Sequence, residues 1–275
     1  MPPVPGGVVV LTKAAEKIDV VRVVLGESYH PGGEELLRRL GSALELAAGH
    51  HLLDCVAGSG LAARQLAGEF RVQVTGLCGS QPGADQASVT AEHAGLGDQV
   101  NFTVADTGRI PLLPGTVDAI LCERGLSGAA DRAFAVGELA KVLRPGGRIA
   151  MLDITVDSGG LPAELEPLAE IMPGIAGAQP LEAYADLLAR AGLQARVIER
   201  HDELLTRLLT ELDTRLRLRR MASTDPLAAV HRLTDLTGHI AAAQQAITRG
   251  VLGYALLVVE KPVARWVPRP RRATP

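Results

Sequence analysis

The sequence predicts an α/β fold, a doubly wound, mostly parallel sheet with helices on both faces. Three observations carry that prediction. Apolar runs near 51–56, 72–77, 99–104, 117–122 and 148–154 alternate with amphipathic stretches near 60–69, 80–94 and 130–143. Strands buried on both faces and joined by crossover helices give this pattern. The first run, HLLDCVAGSG at 51–60, ends in a glycine turn that opens directly into LAARQLAGEF. Strand, glycine turn and helix in that order bring backbone N–H groups and a helix N-terminus up to a ligand. The third observation is LRPGG at 143–147, which stops a helix and turns into RIAMLDIT, with Gly146 and Gly147 supplying the positive-φ turn.

Composition narrows the class. The 275 residues suffice for one large domain with an elaboration. A hydrophobic share of 47% against 21% charged is enough for a buried core. The net charge of −3 sets up no field towards nucleic acid or membrane, and 3% aromatic residues leave little for base stacking. A substrate pocket is therefore expected to be aliphatic. Cys55, Cys78 and Cys122 are odd in number, widely spaced and close to the ends of predicted strands. They imply neither a disulfide framework nor a metal site, and a cytoplasmic location is expected. The N-terminus lacks a basic segment followed by a long apolar one, so no signal peptide is read there. The most apolar run, 251–259, is about half the length that spans a bilayer.

Taken in order, residues 1–10 are expected to form a disordered arm, followed by a helix over 12–25 with Thr12 as its N-cap. GESYHPGG at 26–33 turns a corner, and Pro31 suits the first turn of the helix EELLRRLGSALEL. The five strands and three helices of the core come next. After the fifth strand the chain loosens through DSGGLPAELEPL and IMPGIAGAQP. A helix is expected over 180–191, a sixth strand at LQARVIER and a seventh over 252–261. Between those two strands lies an insertion, 202–249. Leu205, Leu208, Leu209, Leu212 and Leu216 recur there at helical spacing, Asp225 and Pro226 restart a second helix, and Gly250 ends it. These helices are expected to pack on the sheet, cap a substrate cavity or form a homodimer interface. Arg215, Arg217, Arg219 and Arg220 read as a solvated basic end, and the Pro- and Arg-rich tail from 262 as unfolded. The resulting organisation is an arm and helical lid at 1–48, a binding domain at 49–261 and a tail at 262–275.

The glycine turn admits two ligands. GSGLAA at 58–63 fits the dinucleotide fingerprint, which requires an acid about 20 residues on, at the end of the second strand, to grip a ribose. Cys78 stands there instead, which disfavours a nicotinamide dinucleotide. Other features form an ordered set: Asp54 before the glycines, ADTGRIPL at 105–112, TVDAILCE at 116–123 and LRPGG before the fifth strand.

That set resembles the class I S-adenosylmethionine-dependent methyltransferases over roughly residues 50–200 and the last strand. The resemblance implies a seven-stranded sheet with its last strand antiparallel, and S-adenosylmethionine as cofactor. Asp54, Ala57, Gly58 and Gly60 would line its methionine and ribose, with Cys78 and Gly79 at the ribose. Asp106 and Thr107 would flank the adenine, and Glu123 and Arg124 would stand beside the sulfonium and the substrate. GESYHPGG resembles the N-terminal cover of small-molecule members, such as the ubiquinone-biosynthesis and arsenite-methylating types. Tyr29 would then pack on the methionine end, or else within the core or the lid. His30 is either a base or cofactor contact, or the cap of the next helix. The implied activity is methyl transfer to a small, largely apolar metabolite, such as one of secondary metabolism, with His30 and Glu123 as candidate catalytic residues. The chain departs from the pattern at Val56, where a small residue is usual, and at Cys78. The second departure motivates an alternative, a methyltransferase-fold protein that does not methylate and works as a cyclase or binding protein. An arsenite-methylating activity would need converging thiolates, which the cysteine spacing does not suggest. His93, His201, His231 and His239 are read as structural or surface residues, and Asp153 as structural.

Overall fold

A computed structural model describes residues 24–25, 32–170, 172, 174–221 and 236–263. The expected arm and most of the first helix, the corner with Tyr29, His30 and Pro31, the restart at Asp225 and Pro226, His231, and the tail from Ala264 lie outside the described residues. The described chain starts its regular structure with α1 (Gly33–Ala43), β1 (His51–Asp54), α2 (Leu61–Phe70), β2 (Gln73–Cys78), α3 (Gln81–His93) and β3 (Val100–Val104). It continues with β4 (Val117–Glu123), α4 (Arg132–Val142), β5 (Leu143–Val156) and a short α5 (Glu166–Ala169). Then follow α6 (Leu181–Arg190), β6 (Gln194–Arg200), α7 (Asp202–Met221), α8 (Leu236–Thr248) and β7 (Leu252–Glu260).

The seven strands form one sheet in the order β3-β2-β1-β4-β5-β7-β6. Every neighbouring pair is parallel except the two made by β7. The strand order reverses between β1 and β4, so a crevice opens where their carboxyl ends diverge. Central strands read as continuous apolar runs because both faces are covered. One face packs Leu52, Val74, Leu121, Leu152 and Leu256 against α1, α2, α7 and α8. The other packs Leu53, Ile120, Met151 and Leu257 against α4 and α6. Only the edge strand β6 is largely exposed.

The leucine stripe of the insertion faces its own sheet. Leu205, Leu209 and Leu212 are fully buried, and Leu208 and Leu216 nearly so. Those leucines are consumed by packing within the chain and offer nothing to a second copy. Arg215 and Arg217 pair with Glu211 and Asp213 one turn back, as a solvated helix face would.

Two expectations needed correction. LRPGG was read as a turn before a strand at 148–154, yet strand pairing starts at once, with Leu143 opposite Val117. The register then jumps to Arg148 opposite Ala119, so the segment is a bulge and not a break. Lys261 holds it: its backbone exchanges hydrogen bonds with Gly146 and Gly147, and its Nζ donates to the carbonyls of Ala140 and Leu143, 2.7 Å from each. One ammonium thus satisfies carbonyls that the end of α4 leaves open. The loose stretch after β5 is also more ordered than its Pro and Gly content suggested. Leu165, Leu168, Met172 and Ile175 are buried against the core beneath α8. Their spacing of three or four residues makes a short apolar face that the flanking prolines obscure in the sequence.

Among the described residues no helix is long and apolar enough to cross a membrane. Since the insertion carries a large part of one core layer, Leu209→Ala should lower unfolding free energy by about 2–5 kcal/mol in urea titration. A loss below 1 kcal/mol would mean that α7 does not bear on the sheet as described.

Candidate active site

Parallel strands place their carboxyl ends along one edge. From β3 to β4 this edge carries Asp106 and Thr107, then Cys78 and Gly79, then Asp54 with the 55–60 loop, then Glu123 and Arg124. Every described residue expected at the site therefore falls in one row. Tyr29 and His30 lie outside the described residues.

The glycine loop is pinned to both neighbours of β1. Cys55 N–H donates to the Leu121 carbonyl at 3.0 Å, and Ala57 N–H to that of Leu77 at 2.9 Å. Beneath it sits the ring of Phe102. A Cβ on Gly60 would meet that ring at 2.4 Å, and one on Gly76 would meet it at 2.5 Å and the Ala57 Cβ at 2.8 Å. Gly60 also has φ +75°, a conformation only glycine adopts freely. Gly58 and Gly79 do the opposite: among the described residues, their chain neighbours aside, no atom lies closer than 4 Å to a Cβ built on either. Two glycines seat the loop on the aromatic ring and two leave its outer face open. The buried Arg64 clamps the loop from below, donating to the Ser59 carbonyl at 2.8 Å. Helix α2 then starts with neither a side-chain cap nor an acid in its first turn, so its N–H groups point at the open face.

The polar side chains of the row have distinct settings. Asp54 is buried, and its Oδ1 accepts from the Val56 N–H at 3.3 Å. Asp106 is exposed at the end of β3; its Oδ1 accepts from Gly108 N–H at 2.8 Å, and the buried Thr107 follows it. Ala105 N–H donates to the Cys78 carbonyl at 3.0 Å, which sets this turn beside β2. Cys78 is itself buried, with its Sγ 3.9 Å from the Gly58 carbonyl. Its thiol is a weak, neutral donor aimed across the loop.

Glu123 ends β4 on the face that carries α1, α7 and α8. It is buried, and the Tyr254 hydroxyl donates to its Oε1 at 3.3 Å. Arg124 takes φ +53° and bonds the Leu152 carbonyl through its N–H at 2.7 Å. The loop beyond is held by Asp153, fully buried, which accepts from Ser127 N–H at 3.0 Å and Ile154 N–H at 2.9 Å. Burial pushes the Asp153 carboxyl up from its ordinary 3.8 to about 6, although the Ser127 and Ile154 bonds oppose the rise. A Cβ on Gly177 would fall 1.8 Å from the Ser127 carbonyl oxygen, so the segment after α5 lies directly on this loop.

The cysteines divide unexpectedly. Cys55 and Cys122 meet across β1 and β4, while Cys78 faces the loop. Burial, then the hydrogen bond with Cys122, pushes the Cys55 thiol well up. Cys55 is thus a protonated packing residue, not a thiolate ligand. Among the described residues no three His, Cys, Asp or Glu side chains group to hold a metal ion. His93 is exposed, and His201 is held between Glu199 and Glu203 away from the row. Sequence reasoning missed Phe102 and Tyr254. The signal for Tyr254 was available: it is the lone hydroxyl in the apolar run LGYALLVVE, and a buried tyrosine needs a partner.

This donor set fits a nucleoside bearing an amino acid. Loop backbone, a helix start without a side-chain cap and the carboxylates of Asp54, Asp106 and Glu123 lie in line, and Cys78 stands neutral among them. The chain belongs to the class I S-adenosylmethionine-dependent methyltransferases. Residues 53–151 match the family described as methyltransferase domain. Over 268 residues the chain is 31% identical to 27-O-demethylrifamycin SV methyltransferase of Amycolatopsis mediterranei (strain S699), covering 89% of this chain and 93% of that protein. It is 31% identical over 132 residues to O-methyltransferase resE of Aspergillus sclerotiorum, 48% of this chain and 50% of that one. Among solved structures it is similar to the [4+2]-cyclase SpnF, with a TM-score of 0.72 at 21% identity, covering 87% of this chain and 85% of that one. That likeness speaks to the fold alone. The chain is an enzyme that uses S-adenosylmethionine to methylate a small molecule.

Asp153 gives the site a pH signature. Between about pH 4 and 6 the folded chain keeps a proton that the unfolded chain has released, so stability from this group falls as pH rises through that window, by roughly 3 kcal/mol in all. Urea unfolding at pH 4 and pH 7.5 should show the unaltered chain losing stability relative to Asp153→Asn as pH rises. A flat or rising difference would contradict this setting for Asp153.

Proposed function

We propose that the enzyme methylates a hydroxyl oxygen of a small, largely apolar secondary metabolite, and does so in the cytoplasm. The observation that carries this is a buried carboxylate, Glu123, which ends β4 at the carboxyl edge of the sheet and accepts from the Tyr254 hydroxyl. The named O-methyltransferases among its relatives support oxygen as the acceptor. Three free cysteines suit a reducing compartment.

In this reading Ala57, Gly58, Gly60 and the start of α2 hold the methionine end with Asp54, and Tyr29 packs over it. Cys78 and Gly79 take the ribose, and Asp106 and Thr107 take the adenine. When bound, S-adenosylmethionine supplies a methyl group that the acceptor oxygen takes as the sulfur leaves as a neutral thioether. The protein's work is then alignment and the exclusion of water. An alcohol also has a proton to lose, and Glu123 receives it at its carboxylate. His30 is the other candidate for that role.

The test is direct. Purified enzyme, methyl-labelled S-adenosylmethionine and 27-O-demethylrifamycin SV or other hydroxylated, largely apolar metabolites should yield a product heavier by one methyl group in mass spectrometry. Transfer to nitrogen or carbon acceptors alone would overturn oxygen as the acceptor. If the ribose sits at Cys78, then Cys78→Asp should tighten S-adenosylhomocysteine binding by about tenfold, since a charge-assisted hydrogen bond is worth roughly 1.5–3 kcal/mol. Unchanged or weaker binding by calorimetry would count against that placement.

A further inference from the structure

Tyr254 stands on β7, two strands from Glu123. Across the sheet Glu123 pairs with Leu152 of β5, while Tyr254 pairs with Ile154, two residues further towards the carboxyl edge. The tyrosine side chain therefore crosses β5 on the face beneath α7 and α8 and reaches Glu123 from the mouth of the site. Its hydroxyl is buried with 1% of the residue exposed, and it donates to Glu123 Oε1 at 3.3 Å. Its neighbours on the strand are Leu252, Gly253, Ala255 and Leu256, so no requirement of the apolar core calls for a hydroxyl there; phenylalanine would fill the same space.

We propose that Tyr254 is a positioning residue for methyl transfer, holding the Glu123 carboxylate in the orientation that receives the acceptor's proton. This rests on the reading of Glu123 as the proton acceptor. Burial, and then the negative charge of Glu123, push the Tyr254 phenol well above its ordinary range. It stays protonated and remains a donor throughout. A phenol that always donates fixes one carboxylate oxygen, and the rotation that would swing the carboxylate away from the edge costs this bond. The ring also ties β7 to β4 across β5.

Tyr254→Phe keeps the ring and removes only the hydrogen bond. Proton NMR of the full chain should show a slowly exchanging phenol proton that is lost in Tyr254→Phe and moves upfield in Glu123→Gln. S-adenosylhomocysteine affinity should stay within about threefold in both variants. With 27-O-demethylrifamycin SV as acceptor, each variant should lower kcat 10- to 100-fold with KM within about threefold, and the double variant should be no worse than Glu123→Gln alone. A phenol resonance indifferent to Glu123→Gln would overturn the proposal, as would a double variant whose losses multiply or a Tyr254→Phe enzyme at full kcat. Loss of activity in His30→Ala, with Glu123→Gln fully active, would overturn it too. If the unaltered chain transfers no methyl group to this acceptor, the proposed acceptor class fails; the resonance then decides the Tyr254 and Glu123 coupling by itself.

Discussion

The contact on which the site depends is between an aromatic ring and two bare backbone positions. Phe102 fills the space that side chains at Gly60 and Gly76 would occupy, and the loop after β1 rests on it. Packing at van der Waals density leaves no slack here, so the loop has one seat. That seat sets the direction in which α2 begins and leaves Gly58 and Gly79 open towards the ligand. With only three phenylalanines and one tryptophan in the chain, one of its few large rings is spent under the cofactor loop. The strand order does the rest, because parallel β1 and β4 diverge at this point and carry Asp54 and Glu123 to the same edge.

Much of this was legible in the residues. All seven strands were readable: the central ones, buried on both faces, show as largely apolar runs such as AILC in β4, and the exposed edge strand β6 was placed by the helix and glycine that precede it. The site row was readable for the same reason: in a parallel sheet the last residue of each strand is a site position, so Asp54, Cys78 and Glu123 follow from the strand ends. What was not legible is whatever depends on contact between distant strands. Nothing local says that Phe102 of β3 supports a loop after β1, or that Tyr254 of β7 reaches β4. The pairing of Cys55 with Cys122 is likewise a product of register, which sets Cys55 beside Leu121. LRPGG misled because a helix stop and a bulge use the same residues; only the partner strand distinguishes them.

The polar chemistry shows an economy in charge. Glu123 and Asp153 stand at the ends of neighbouring strands but on opposite faces of the sheet, one accepting from the Tyr254 hydroxyl and one bracing the loop that follows β4. Asp153 spends a buried carboxylate on two backbone N–H groups, a cost in stability that the core must offset. Cys78 removes a charge where a ribose contact is expected and leaves the grip there to backbone and packing.

The most direct measurement is a calorimetric titration of the full chain with S-adenosylhomocysteine and, separately, with NAD. A glycine loop seated on Phe102 with an open face at Gly58 predicts saturable one-to-one binding of the sulfur nucleoside and none of the dinucleotide. Binding of NAD without S-adenosylhomocysteine, or of neither, would contradict it.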